Sequence, residues 1–204
     1  TDANRKSSSM EEKLTNRQIQ AINTKNKIYN AAVELLENNG YQNIRIEDIC
    51  KQAGVSVGSF YTHFNSKNDI LVEIFKKADD YFREEVSKSL GDKSVFDKII
   101  DYFDFYAKYD ESLGIDMAKQ LYTFDNKMFI TEGRYMQGLL NEIIIDAQKN
   151  GYLPLDIAAA EITKQLFVVA RGVVYDWCLH DGEYNVREAM KNFIKRMLST
   201  YQSK

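Results

Sequence analysis

The sequence predicts an all-α protein: a small N-terminal three-helix domain built around a helix-turn-helix, then a larger C-terminal helical body. Three observations carry this. Only one proline, Pro154, interrupts 204 residues, so helices meet few breakers. Apolar residues recur at three- and four-residue spacing along most of the chain, the period of a helix with one buried face. The interruptions are short and glycine-bearing, at Asn39-Gly40, Ala53-Gly54-Val55, Leu90-Gly91-Asp92, Gly151 to Pro154 and His180 to Gly182.

In chain order, residues 1–14 are polar and aperiodic and read as an arm; Arg5 and Lys6 give it the charge to follow a minor groove. Thr15-Asn16-Arg17-Gln18 is a capping-box pattern. It opens a helix over 15–38 that carries Ile19, Ile22, Ile28, Ala31, Ala32, Leu35 and Leu36 at roughly helical spacing and stops at Gly40. A short helix over 45–52 turns Ile46 and Ile49 inward. After the turn at Gly54, Ser56 caps a third helix over 57–63, with Phe60 and Phe64 one turn apart on its inner side. Ser66 caps a fourth helix with Asp69 in its first turn; Ile70, Leu71, Ile74, Phe75, Ala78, Phe82 and Val86 line it to about Leu90. Further helices follow over about 94–109, 111–122, 126–150, 156–180 and 185–202. The organisation is an arm at 1–14, a head at 15–66 and a body at 67–204.

Composition bounds the function. Hydrophobic residues make up 44% and charged residues 28%, ordinary for a globular chain. Net charge is −3, yet residues 1–67 hold nine Lys and Arg against seven Asp and Glu, while the remainder is acidic. A mildly basic head on an acidic body suits a nucleic-acid partner. Cys50 and Cys178 stand 128 positions apart, which fits neither a disulfide framework nor a zinc site. Cys178-Leu179-His180-Asp181 places too few ligand types at a helix end to close around a metal. With two histidines, no phosphate-cradling glycine loop and no nucleophile–base pair, neither enzyme activity nor a cofactor is expected. No secretion signal and no membrane-length apolar run is visible, so a cytoplasmic protein without a membrane partner is expected.

Two short helices joined by a glycine turn place the second in a DNA major groove. Such a helix needs small residues at its start, polar or aromatic side chains outward and an apolar anchor inward. Ser56, Gly58 and Ser59 meet the first need, Tyr61, Thr62 and His63 the second, Phe60 and Phe64 the third. Lys67, at the next helix start, is placed to neutralise a phosphate.

The run IEDICKQAGVSVGSFYTHFNSKNDIL, residues 46–71, resembles the TetR family of bacterial transcriptional regulators. Ala53-Gly54-Val55-Ser56-x-Gly58, Tyr61-x-His63-Phe64 and Lys67-x-x-Ile70-Leu71 stand in register with the family motif. The likeness is strong over 24–75 and weaker at Gly151-Tyr152-Leu153 and from Gly172 to Trp177. It implies that Ser56, Val57, Gly58, Tyr61, Thr62, His63 and Lys67 face a palindromic double-stranded operator. Arg45 departs from the pattern, standing where a threonine usually caps the second helix; it adds a cation within reach of phosphate. Cys50 replaces a small alanine.

The resemblance also implies an inducer pocket in the body and a dimer. An aromatic-lined pocket between facing helices is expected around Tyr102, Tyr106, Met117, Gln120, Leu121, Tyr135, Leu139 and Phe167, among body aromatics that include Phe124. Arg171, inside the apolar run LFVVARGVVYDW, needs a partner: Glu132 or Glu142 in a salt bridge, or an acidic ligand. The homodimer is expected through the last two helices, with Ile162, Leu166, Val169, Ala170, Val173 and Val174 facing Ala189, Met190, Phe193, Ile194, Met197 and Leu198. The function expected is a repressor released by a small, largely hydrophobic or aromatic molecule. A helical small-molecule-binding protein, and an activator without inducer-controlled release, remain as alternatives.

Overall fold

The computed structural model describes residues 15–123 and 126–201; Arg5, Lys6 and Phe124 lie outside the described residues. Among these residues all regular structure is helical. Helix α1 (Asn16–Asn39) opens on Thr15, whose hydroxyl accepts the Gln18 N–H at 3.3 Å while the Gln18 side-chain oxygen accepts the Thr15 N–H at 2.7 Å. Helix α2 (Ile46–Ala53) ends at Gly54, held left-handed at φ 67°, and α3 (Val57–His63) follows. Helix α4 (Asn68–Tyr81) continues through a π-helical turn, Phe82–Val86, to Ser87–Ser89. The body adds α5 (Val95–Leu113), α6 (Ile115–Leu121), α7 (Tyr135–Lys149), α8 (Ala159–Leu179) and α9 (Val186–Tyr201).

Two boundaries differ from the sequence expectation. Helix α5 runs past residue 109 and breaks at Gly114, whose φ of 83° the chain reaches without strain only at glycine. The helix expected over 126–150 starts only at Tyr135, with a single 3-10 turn, Lys127–Ile130, before it. The cause is a cap supplied from another helix. The Asp79 carboxylate of α4 accepts the Met136 N–H at 3.1 Å and the Arg134 Nε–H at 3.0 Å. A remote acid thus satisfies a free donor of the first turn.

The chain buries two apolar clusters. The head cluster joins Ile28, Leu36, Ile49, Phe60 and Phe64 to Ile70, Ile74 and Phe75 of α4. The body cluster begins on the same helix at Phe82 and Val86 and includes Tyr102, Phe103, Leu140, Phe167 and Trp177. Helix α9 packs on α5 and α8, and α8 on α7. Arg187 clamps α9 to α5 through both oxygens of Asp104, at 2.9 and 2.7 Å, and Lys191 adds a third contact at 3.3 Å.

Helix α6 bridges the two clusters. Met117 and Leu121 pack into the head core while Ala118 packs into the body. The Gln120 side-chain oxygen accepts the Tyr41 N–H at 3.0 Å. Its amide lies so close over Gly40 that a Cβ there would come within 3.3 Å of Nε2.

Candidate functional site

On α3 the side chains sort by helical geometry. Phe60 is fully buried and Phe64 nearly so, their rings 5.6 Å apart. Val57, Gly58, Tyr61 and Thr62 fall one turn apart on the opposite face and are exposed, Tyr61 by 54%. Ser59 and His63 flank that face, half-buried. The exposed Ser56 hydroxyl accepts the Ser59 N–H at 3.1 Å and fixes the helix start. Thr62 donates back to the Gly58 carbonyl at 3.1 Å, so its hydroxyl must turn before it can donate to a base. Arg45 projects into solvent. A guanidinium accepts nothing, so the cap of α2 is carried by Asp48, whose carboxylate takes the Arg45 N–H at 3.0 Å.

Lys67 differs from expectation. Its ammonium donates to the carbonyls of Tyr41 and Ile44 at 2.5 and 3.0 Å and lies 4.2 Å from the centre of the Tyr41 ring. Burial lowers its pKa. The loop between α1 and α2 leaves carbonyls open, and this cation fills them, so one ammonium proton remains for a phosphate. Lys67→Met is therefore expected to cost about 1.5–3 kcal/mol of head stability and to change the salt slope of DNA binding by less than about 1. Denaturant melts and a salt titration check it. A slope lowered by a full unit with unchanged melting would show a plain phosphate contact instead.

In the body, a groove of about 920 Å³ opens between α7 and α8 below residues 129–134. Tyr135, Leu139, Phe167 and Arg171 line it as expected, beside Thr163 and Lys164. Arg171 is half-buried. Neither Glu132 nor Glu142 pairs with it, although both line the same groove. Among the described residues its guanidinium forms no ion pair. The salt-bridge alternative is therefore not realised.

The other pocket candidates lie elsewhere. Tyr102 is fully buried in the body core, its hydroxyl donating to the Met136 carbonyl at 2.7 Å. Met117 belongs to the head core and Gln120 to the junction with Gly40 and Tyr41. Both point away from the groove because α6 turns that face toward α1. Tyr106 and Leu121 line a second, interior chamber of about 30 Å³ between α4, α5, α6 and α7. There Asp110 is buried, its carboxylate accepting the Tyr122 hydroxyl at 3.0 Å; Tyr122 also meets the Tyr106 hydroxyl at 2.8 Å. Burial pushes Asp110 up to about 7 against the hydrogen bond from Tyr122, and pushes the Tyr106 and Tyr122 hydroxyls up as well.

Residues 28–74, from the buried half of α1 into α4, match the family model described as bacterial regulatory proteins, tetR family. The chain carries the N-terminal domain of the TetR family. The chain is 27% identical over 192 residues to the fatty acid metabolism regulator protein of Bacillus subtilis, covering 87% of the chain and 95% of that protein. Its fold matches the transcriptional regulator FadR of B. subtilis in complex with stearoyl-CoA at a TM-score of 0.71 and 20% identity, covering 85% and 97% of the two chains. It also matches the FadR repressor of Thermus thermophilus in complex with lauroyl-CoA at 0.70 and 21%, covering 88% and 96%. That matched domain, together with the regulators the chain is similar to, marks it as a DNA-binding transcriptional regulator.

The dimer stripe read from the sequence is largely internal. Ile162, Leu166, Ala170, Val174, Met190, Ile194 and Leu198 are all buried within the chain. Helix α8 instead leaves Val168, Gly172, Tyr175 and Leu179 outward on one stripe, with Phe193 of α9 also exposed. No helix among the described residues is long and apolar enough to cross a membrane. Sequence reasoning missed Asp110. Its signal is readable: it continues the buried stripe Ile99, Phe103, Tyr106 at helical spacing, an acid in register with an apolar face.

Proposed function

We propose that this protein is a homodimeric repressor that grips a palindromic operator through α3 and releases it when a long-chain acyl-coenzyme A fills the groove. The observation that carries the ligand class is the wall of the 920 Å³ groove. It sets the unpaired Arg171 guanidinium beside the apolar faces of Phe167 and Leu139, a match for an anionic head joined to an apolar chain. Two relatives of the same fold are described with stearoyl-CoA and lauroyl-CoA. Tyr61, Thr62, Val57 and His63 are assigned to base edges and sugars, Ser56, Gly58 and Ser59 to the close backbone approach, Arg45 to phosphate.

Release requires the ligand to bind the DNA-incompetent arrangement more tightly. Helix α6 is suited to transmit that preference. Tyr122 at its end is held by Asp110 and Tyr106, and Tyr106 packs on Phe167 of the groove at 6.1 Å. Gln120, two residues earlier, fastens the Tyr41 loop that Lys67 also holds.

The test is fluorescence anisotropy on DNA from upstream of the protein's own gene, with long-chain acyl-CoA added. Saturable binding and release by micromolar acyl-CoA are expected; DNA binding indifferent to acyl-CoA would refute the inducer class. Arg171→Ala should weaken acyl-CoA binding roughly tenfold while operator affinity in its absence stays unchanged. For assembly, Leu179→Glu is expected to convert the dimer to monomer in light scattering, because it sets a like charge against its own symmetry mate. Persistent dimers would move the interface off α8.

A further inference from the structure

We propose that Asp110 is a specificity-determining residue of the ligand site, and that the chamber it lines selects a ligand whose apolar tail carries a hydroxyl or carbonyl at or near its far end. The inference rests on the acyl-CoA reading above and narrows it.

The chamber adjoins the groove through two shared lining residues, Phe129 and Arg134. A tail laid along the groove and passing between these two residues would place its far end in the chamber. The space is about 30 Å³, enough for a single functional group, since one water already needs about 10–15 Å³. Its walls are apolar or aromatic at Ile74, Phe75, Phe82, Leu113 and Met136. Asp110 is the one carboxyl among its lining residues. The Arg134 guanidinium on the wall shared with the groove is engaged by Asp79 at 3.0 Å and by the Phe75 carbonyl at 3.2 Å. Asp110 takes its hydrogen bond from Tyr122 through Oδ2, which leaves Oδ1 for a guest.

A plain methyl end would press hydrocarbon against that open oxygen. A hydroxyl or carbonyl would complete it. Sites built to hydrogen-bond a polar group reject the analogue lacking it far more strongly than apolar pockets reject an extra methylene. Because burial brings the carboxyl to about 7, both protonation states are populated near neutrality. The group can accept from a hydroxyl or donate to a carbonyl.

The experiment titrates the full-length protein with a length series of saturated acyl-CoAs and their ω-hydroxylated counterparts, read by calorimetry. At the best-fitting length the wild type should bind the hydroxylated compound about tenfold more tightly. Asp110→Asn, which keeps a donor and an acceptor in the same place, should retain the preference. Asp110→Leu should reverse it. Tight binding with saturated tails preferred at every length, or a preference unchanged in Asp110→Leu, overturns the role of Asp110 while leaving the acyl-CoA reading intact. Binding of neither series overturns both.

Discussion

Replacing Phe60 by alanine is expected to cost about 3–5 kcal/mol of stability and to abolish operator binding, whereas Tyr61→Ala should change stability by less than about 0.5 kcal/mol and still alter which DNA is bound. The two residues are neighbours on a helix of seven residues, so helix propensity cannot separate them. Burial does. Phe60 has no exposed surface and lies in the head cluster with Ile28, Leu36, Ile49 and Ile70. Tyr61 is 54% exposed and touches Phe60 edge-on at 5.5 Å. A helix this short is not stable on its own; Phe60 and Phe64 hold it to α1 and α4, and the face carrying Tyr61 is left for DNA. Thermal melts and binding to a panel of operator variants decide the matter. Phe60→Ala with full affinity, or Tyr61→Ala with affinity lowered equally across all sequences, would contradict this division of labour.

The head was legible because its signals are local. Gly54, the Ser56 cap and the Phe60–Phe64 spacing each act within a few residues, and each appears in the structure where its residue type dictates. The body was legible in its helices but less so in its faces. The start of α7 is set by Asp79, 57 positions before the N–H it accepts, a signal no window of sequence contains. Met117 and Gln120 sit on an amphipathic helix whose two sides are both covered, one by the head and one by the body. Periodicity shows that such a helix is buried, not which neighbour buries each side. The same ambiguity put the dimer stripe on the inner faces of α8 and α9: Ala170 and Val174 are buried within the chain, while Val168, Tyr175 and Leu179 remain outside. The sequence shows Lys67 as a cation placed for a phosphate and hides its other partners, because the carbonyls it serves, at Tyr41 and Ile44, come from a loop more than twenty residues away.

The buried acid gives the second large effect. Asp110 has its pKa raised from 3.8 to about 7 by burial, against a hydrogen bond from Tyr122 that favours the charged form. The folded state therefore holds this proton more tightly than the unfolded chain. The associated stability is fully present below pH about 4 and is lost as pH rises through about 7, a total on the order of 4 kcal/mol. Other groups titrate too: hydrogen bonds from Asn65 and Ser66 hold Asp69 below its usual value, and against burial the Arg187 and Lys191 partners hold Asp104 below its own. Their contribution has the opposite sign, so the difference between wild type and Asp110→Asn is the useful quantity. That difference should grow in favour of the variant by about 2–3 kcal/mol between pH 5 and pH 8. Parallel stability curves would mean that the carboxyl is hydrated and the chamber open. A guest that donates to Oδ1 offsets part of this penalty. An ω-hydroxylated tail should therefore raise the wild-type melting temperature more at pH 8 than at pH 5, and the asymmetry should vanish in Asp110→Asn, whose amide does not titrate.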